Sequence, residues 1–329
     1  MDLLLTDFLG TPAWMWLTFI ATVLVLLVLD LGVLNRGNHE IGVARSLKLS
    51  AFYITLGLAF GGFVWWQMGA ESAGLYLTAF IVEKTLAMDN VFVIAMIFTY
   101  FAIPRQYQHR VLFWGILGVI VLRGLMIGFG AALVTQYHWI LYFFAAFLIF
   151  TGIKMLVTDE AQVDISKNPV LGFLRRRLRV TDRLHGNDFF TRLPDPQTGR
   201  LATYATPLFL ALAMVEIADL IFAVDSIPAV FAITTDTFIV YTSNIFAILG
   251  LRALYFALAA IIHRFHYLKY ALGVLLVFIG SKVFVADLFG LAKFPASVSL
   301  GVTFAILAAG VGWSLWKTRK GAEGHLPPA

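Results

Sequence analysis

Two stretches decide how this chain is read: V-E-K-T-L-A-M-D-N-V-F-V from Val82, and A-D-L-I-F-A-V-D-S-I-P-A from Ala218. Aligning Asp89 with Asp225 places Glu83 on Asp219, so each copy reads acid, five residues, acid, then Asn90 or Ser226. Further on, Arg123 in V-L-R-G-L matches Arg252 in G-L-R-A-L, and F-T-G-I-K ending at Lys154 matches F-I-G-S-K ending at Lys282. The repeat covers three apolar segments in each half of the chain.

Working outward, the 329 residues are 60% hydrophobic and 13% charged, with a mean hydropathy of +0.86. Soluble domains carry about 25% charged residues, so a soluble globular protein is excluded. A membrane-crossing helix needs roughly 20 apolar residues. Apolar runs bounded by polar, Pro or Gly breaks give about nine spans, at 13–34, 47–67, 74–100, 110–134, 139–157, 204–231, 238–262, 268–287 and 296–316. The expected fold is an all-α, polytopic transmembrane bundle, a single membrane domain over 1–329. Its parts are a first repeat at 74–157, a basic loop at 158–203, a second repeat at 204–287, a last helix at 296–316 and a tail at 317–329. The chain contains no cysteine, which removes disulfides, thiolate metal sites and thiol redox chemistry.

Basic residues crowd alternate connections: Arg36, Arg45 and Lys48; Arg105 and Arg110; eight from Lys167 to Arg200; Arg264 and Lys269; and Lys317, Arg319 and Lys320. The opposite connections hold Lys293 alone. The positive-inside rule then puts the N-terminus outside, and the 158–203 loop and C-terminus in the cytoplasm, as expected of a bacterial inner-membrane protein. The first span lacks a basic leader and exceeds a signal-peptide core in length, so it is expected to remain in the mature protein. The net charge of +5 reports orientation and not nucleic-acid binding. The loop cluster Arg175, Arg176, Arg177 and Arg179 suits anionic lipid headgroups, and Asp188 to Tyr204 has the makings of a small hairpin. Because each repeat holds an odd number of helices, this topology makes the two repeats inverted, a recurrent construction of secondary transporters with sites at mid-membrane.

Six acids fall inside spans, clear of their ends: Asp30, Glu83, Asp89, Glu216, Asp219 and Asp225. An intramembrane charge costs about 2.5–3.5 kcal/mol on insertion scales, so such groups pair, face a wet cavity or change protonation state. Lys84, Arg123, Lys154, Arg252 and Lys282 are the available counter-charges. A six-residue helical step turns Glu83 and Asp89 apart, whereas Asn90 lies almost under Glu83. Local unwinding at Pro228 is therefore expected, freeing carbonyl oxygens beside Asp225. An all-oxygen ligand set, with the histidines at loops or span edges, favours a hard divalent cation such as Mn(II), Ca(II) or Mg(II). Met88, Gly57, Gly61, Gly124 and Gly128 read as helix packing.

L-D-L-G-V-L-N-R (Leu29 to Arg36), E-K-T-L-A-M-D-N (Glu83 to Asn90), A-T-P-L-F-L (Ala205 to Leu210), E-I-A-D-L-I-F-A-V-D-S-I-P-A (Glu216 to Ala229) and S-N-I-F-A-I-L-G-L-R-A-L-Y-F (Ser243 to Phe256) resemble the TerC integral membrane protein family. The full layout resembles its Alx-like branch, grouped with the LysE-type exporters. The resemblance implies manganese efflux rather than enzymatic activity. No cofactor is expected; the transported ion is Mn(II), with Ca(II) or Mg(II) as alternatives, and the partners are that cation and membrane lipid. The expected pathway is lined by Glu83, Asp89, Glu216, Asp219 and Asp225, with Asn90, Ser226 and Asn244 as neutral donors and Asp30 nearer the cytoplasm. Arg123, Arg252, Lys84, Lys154 and Lys282 are expected to be structural counter-charges. A scaffold in a metal- or tellurite-stress assembly is the alternative reading.

Overall fold

A computed structural model describes residues 6–29, 43–158, 165, 168–195, 199–258, 268–290 and 294–323. The chain is mostly helical. After a two-stranded hairpin (β1 Asp7–Phe8, β2 Thr11–Pro12) come α1 (Ala13–Leu29), α2 (Val43–Tyr100), α3 (Arg105–Gln136), α4 (Ile140–Val157) and the short α5 (Pro169–Arg177). A second hairpin (β3 Phe190–Pro194, β4 Leu201–Ala205) leads to α6 (Pro207–Ile233), α7 (Thr237–Leu249), α8 (Leu251–Leu258), α9 (Leu268–Leu288) and α10 (Ala296–Glu323). Among the described residues, six helices are long and apolar enough to cross a membrane, and α1 and α7 are shorter apolar helices. β3 and β4 pair antiparallel, Phe190 opposite Ala205 and Pro194 opposite Leu201, inside the stretch that the sequence marks as a hairpin.

The longest helix, α2, is in fact two. Gly69 sits at φ +86 and ψ 176, a backbone state open only to glycine, and the chain reverses there. Tyr76 donates its hydroxyl to the Gly57 carbonyl at 3.0 Å. In a straight helix those residues would lie about 28 Å apart at 1.5 Å per residue. A side chain on Gly57 would collide with the Phe80 ring, and Gly61 lies under Tyr76 and Leu77. The legs, 43–68 and 70–100, therefore form an antiparallel pair whose contacts centre on the glycine. They correspond to the second and third apolar segments of the sequence.

Local chemistry sets the other ends. Asn168 accepts from the Val170 amide ahead of Pro169, and Asp236 accepts from Ile239, two side-chain caps at helix N-termini. Pro207 starts α6 at its first turn. The expected unwinding at Pro228 does not occur: α6 runs unbroken through it. Proline removes one backbone bond but keeps a helical φ. The residues around it, Ser226 to Phe231, are buried, so packing holds the helix together. The break falls instead at Gly250, between α7 and α8.

Apolar packing organises three regions. One gathers Phe98, Val111, Leu112 and Leu208 at the ends where α2, α3 and α6 meet the connecting loops. A second is aromatic, with Trp16, Phe19, Phe60, Phe238 and Phe246 in mutual contact. The third joins Leu148, Phe231, Leu275 and Ile279. Here α4 and α9 run antiparallel at close range. A Cβ on Gly152 would stand 2.6 Å from the Gly273 carbonyl oxygen, and one on Gly280 would stand 2.5 Å from that of Ala145. Gly124 and Gly128 give room to Tyr241, whose hydroxyl donates to the Gly124 carbonyl at 2.6 Å.

Candidate metal pathway

Residues seven apart share a helix face, so the second leg of α2 presents Glu83 and Asn90 together, and α6 presents Asp219 and Ser226. These two faces meet on Arg123 of α3. The guanidinium donates twice to Asp219, from Nε at 3.0 Å and from Nη2 at 2.9 Å. Its Nη1 donates to Glu83 and to the Ser226 hydroxyl at 3.2 Å, with Asn244 Oδ1 of α7 at 3.5 Å. Asn90 closes the ring by donating to Asp219 at 3.0 Å. Arg123 is 1% exposed and Glu83 0%, so this is a desolvated ionic belt tying four helices together. Paired fork geometry of this kind is what makes arginine suited to buried carboxylates. Formally the belt sets two carboxylates against one cation.

The belt separates two cavities. One, lined by Asn90, Gly115, Val119, Val215, Ala218 and Asp219 among others, lies toward the ends of α2, α3 and α6 at Tyr100, Arg105 and Pro207. The other lies on the far side of the belt and is lined by Glu83, Asn90, Met155, Phe222, Asp225, Ser226 and Arg123 itself, with further apolar residues. It offers about 60 Å³ for the centre of a water-sized sphere, where a single water needs roughly 10–15 Å³. Three acceptors on these helices, Glu83 Oε2, Asn90 Oδ1 and Glu216 Oε2, are buried without a hydrogen-bond partner. Buried acceptors of this kind are costly, and a cation would satisfy them.

Asp225 accepts from the Thr151 hydroxyl at 3.4 Å, with Lys154 of α4 within electrostatic reach. Glu216 rests its carboxylate directly over Gly118 of α3, in the volume that any side chain there would fill. Asp30 lies outside the described residues, as do the side chains of Asp89 and Arg252. Among the described residues, no group of three or more acidic or histidine side chains is arranged to hold a metal ion. Glu83 and Asp219 are engaged by Arg123.

Two of the expected counter-charges behave differently. Lys84 donates to the Ala247 carbonyl at 2.8 Å, at the broken end of α7, where a cation satisfies terminal carbonyls and the helix dipole. Lys282 reaches the Ser299 hydroxyl of α10 at 3.3 Å. Both therefore settle on neutral oxygens, which avoids assembling a fully desolvated ion pair. Thr151, Met155 and Gly118 went unassigned in the sequence. The signal available was the mismatch between F-T-G-I-K-M and F-I-G-S-K-V, in which Thr151 and Met155 stand opposite Ile279 and Val283.

Fold and site together define a multi-pass membrane protein with a buried ionic belt between two internal cavities. Residues 68–322 match the model of the integral membrane protein TerC family. The chain belongs to that family. Its relatives include an uncharacterized membrane protein of Rickettsia bellii (strain RML369-C), 46% identical over 90% of this chain and 95% of that one. Two proteins named "Putative membrane-bound redox modulator Alx" are similar over most of their length: that of Salmonella typhi at 46% identity (93% of this chain, 95% of that one) and that of Escherichia coli (strain K12) at 47% (91% and 92%). No solved structure matches the chain.

Proposed function

We propose that this protein is a secondary exporter of divalent metal cations, foremost Mn(II), working by alternating access at a mid-membrane carboxylate site in the bacterial inner membrane. The observation that carries the reading is Arg123, a buried cation held by Glu83 and Asp219 between two cavities. Arg123 is the tethered stand-in for the transported ion. A metal entering from the cavity toward Tyr100 and Pro207, the cytoplasmic one in this topology, competes for the same carboxylates, and when the metal leaves, Arg123 returns. The oxygens then available are those of Glu83, Asp219, Asp225, Asn90, Ser226 and Asn244, the hard set that Mn(II) prefers. Metal release from carboxylates is naturally exchanged for protons, which gives a coupling ion.

The nine-pass topology, with the N-terminus outside and inverted repeats, belongs to this reading. Counting the two legs of α2 separately and adding α1 and the α7–α8 pair gives nine passes. The repeat symmetry is supported by the way α4 and α9 pack: Gly152 against Gly273 and Gly280 against Ala145 are interchanged by the sequence repeat, as an isologous contact requires. A redox activity on cysteines of this chain is excluded by its composition. The test is Mn(II) flux into proteoliposomes of the purified chain. Flux above that of protein-free vesicles is expected; its absence for every divalent ion would turn the reading toward a non-transporting scaffold.

A further inference from the structure

The two repeats place equivalent acids at Asp89 and Asp225, but the helix packed beside Asp225 is not equivalent to its counterpart. α4 supplies Thr151, in hydrogen-bond range of Asp225, and Met155, which lines the same cavity as Asp225, Glu83, Asn90 and Ser226. At the corresponding positions of α9 stand Ile279 and Val283, which can coordinate nothing. Two acceptors on residues that line it, Glu83 Oε2 and Asn90 Oδ1, are buried without hydrogen-bond partners, on residues 0% and 4% exposed. Carboxylate, amide and hydroxyl side chains thus line the cavity together with Met155 and the Arg123 cation.

Resting on the export reading above, we infer that Met155 is the residue that sets metal selectivity, and that Thr151 positions the Asp225 carboxylate. Carboxylate and amide oxygens alone suit Mg(II), Ca(II) and Mn(II) alike. A thioether favours transition ions, because softer donors bind them and offer little to Mg(II) or Ca(II).

The test measures Mn(II) flux in proteoliposomes of the full chain against rising Mg(II), with Cd(II) flux as a soft-ion probe. Met155→Leu nearly conserves volume and replaces the thioether with a branched hydrocarbon. Mg(II) should then inhibit Mn(II) flux at roughly tenfold lower concentration than in the wild type, and Cd(II) affinity should fall by a similar factor, the low end for losing a supporting metal contact. Met155→Gln, which offers a hard oxygen instead, should move the preference further toward Mg(II). Thr151→Val should weaken Mn(II) and Mg(II) together and leave their ratio unchanged. Wild-type Mg(II) inhibition and Cd(II) affinity in both Met155 variants would overturn the inference while leaving export standing. Absence of flux in the wild type would instead remove the export reading on which it rests.

Discussion

The second helix of the first repeat and its counterpart in the second carry the same arginine and fold differently. α3 runs unbroken from Arg105 to Gln136 through Arg123, whereas the counterpart stops at Leu249 and restarts at Leu251, just before Arg252. The matched residue two before each arginine explains the difference. In α3 it is Val121, 61% exposed on the outer surface. In the counterpart it is Gly250, whose missing side chain leaves room for Lys84 Nζ and Tyr53, each 2.9 Å from where a Cβ would stand. The same charge pattern therefore sits on one unbroken helix and on one interrupted at a buried glycine. The break exposes the carbonyls that Lys84 serves and places Asn244 one turn and a half before the gap.

Removing Arg123 should have the largest effect, because it leaves Glu83 and Asp219 buried without a cation. Arg123→Gln should cost about 3–5 kcal/mol, read as a lower midpoint of thermal unfolding in detergent. Added Mn(II) should recover part of that midpoint, since a ligand of the native state stabilises it by mass action. An unchanged midpoint would mean that the belt is not the ionic centre of the fold.

A smaller effect separates the two helices directly. Gly250→Val should cost roughly 1–3 kcal/mol by overpacking against Lys84 and Tyr53, while Val121→Gly, on the exposed face, should cost about 0.5–1 kcal/mol in backbone freedom alone. Chemical unfolding of both variants checks the order. Equal costs would dissolve the contrast between the repeats.

The sequence made the helix ends and the hairpin legible, because apolar runs, Pro207 and the 190–205 turn chemistry are local signals. It also made legible that Glu83 and Asn90 share a face, which the helical period dictates. It misplaced the break. Pro228 is a local breaker overruled by its buried surroundings, and the break falls at Gly250, where Lys84 and Tyr53, distant in sequence, occupy the space a side chain would fill. The partners of Arg123 were likewise out of reach, since hydrogen bonds to three other helices are fixed by tertiary packing alone. Asp30, and the side chains of Asp89 and Arg252, lie outside the described residues.

In the proposed export cycle Arg123 seals the two cavities from one another, and a divalent ion shifts which one is open. A chain without cysteine allows this to be read from single introduced thiols. Ala218→Cys reports the cavity toward Tyr100 and Pro207, and Phe222→Cys reports the cavity beside Asp225. With membrane-impermeant thiol reagents applied to either side of oriented vesicles, the two positions should label from opposite sides, and Mn(II) should change their labelling rates in opposite directions. Labelling of both from the same side, or rates indifferent to Mn(II), would contradict the account.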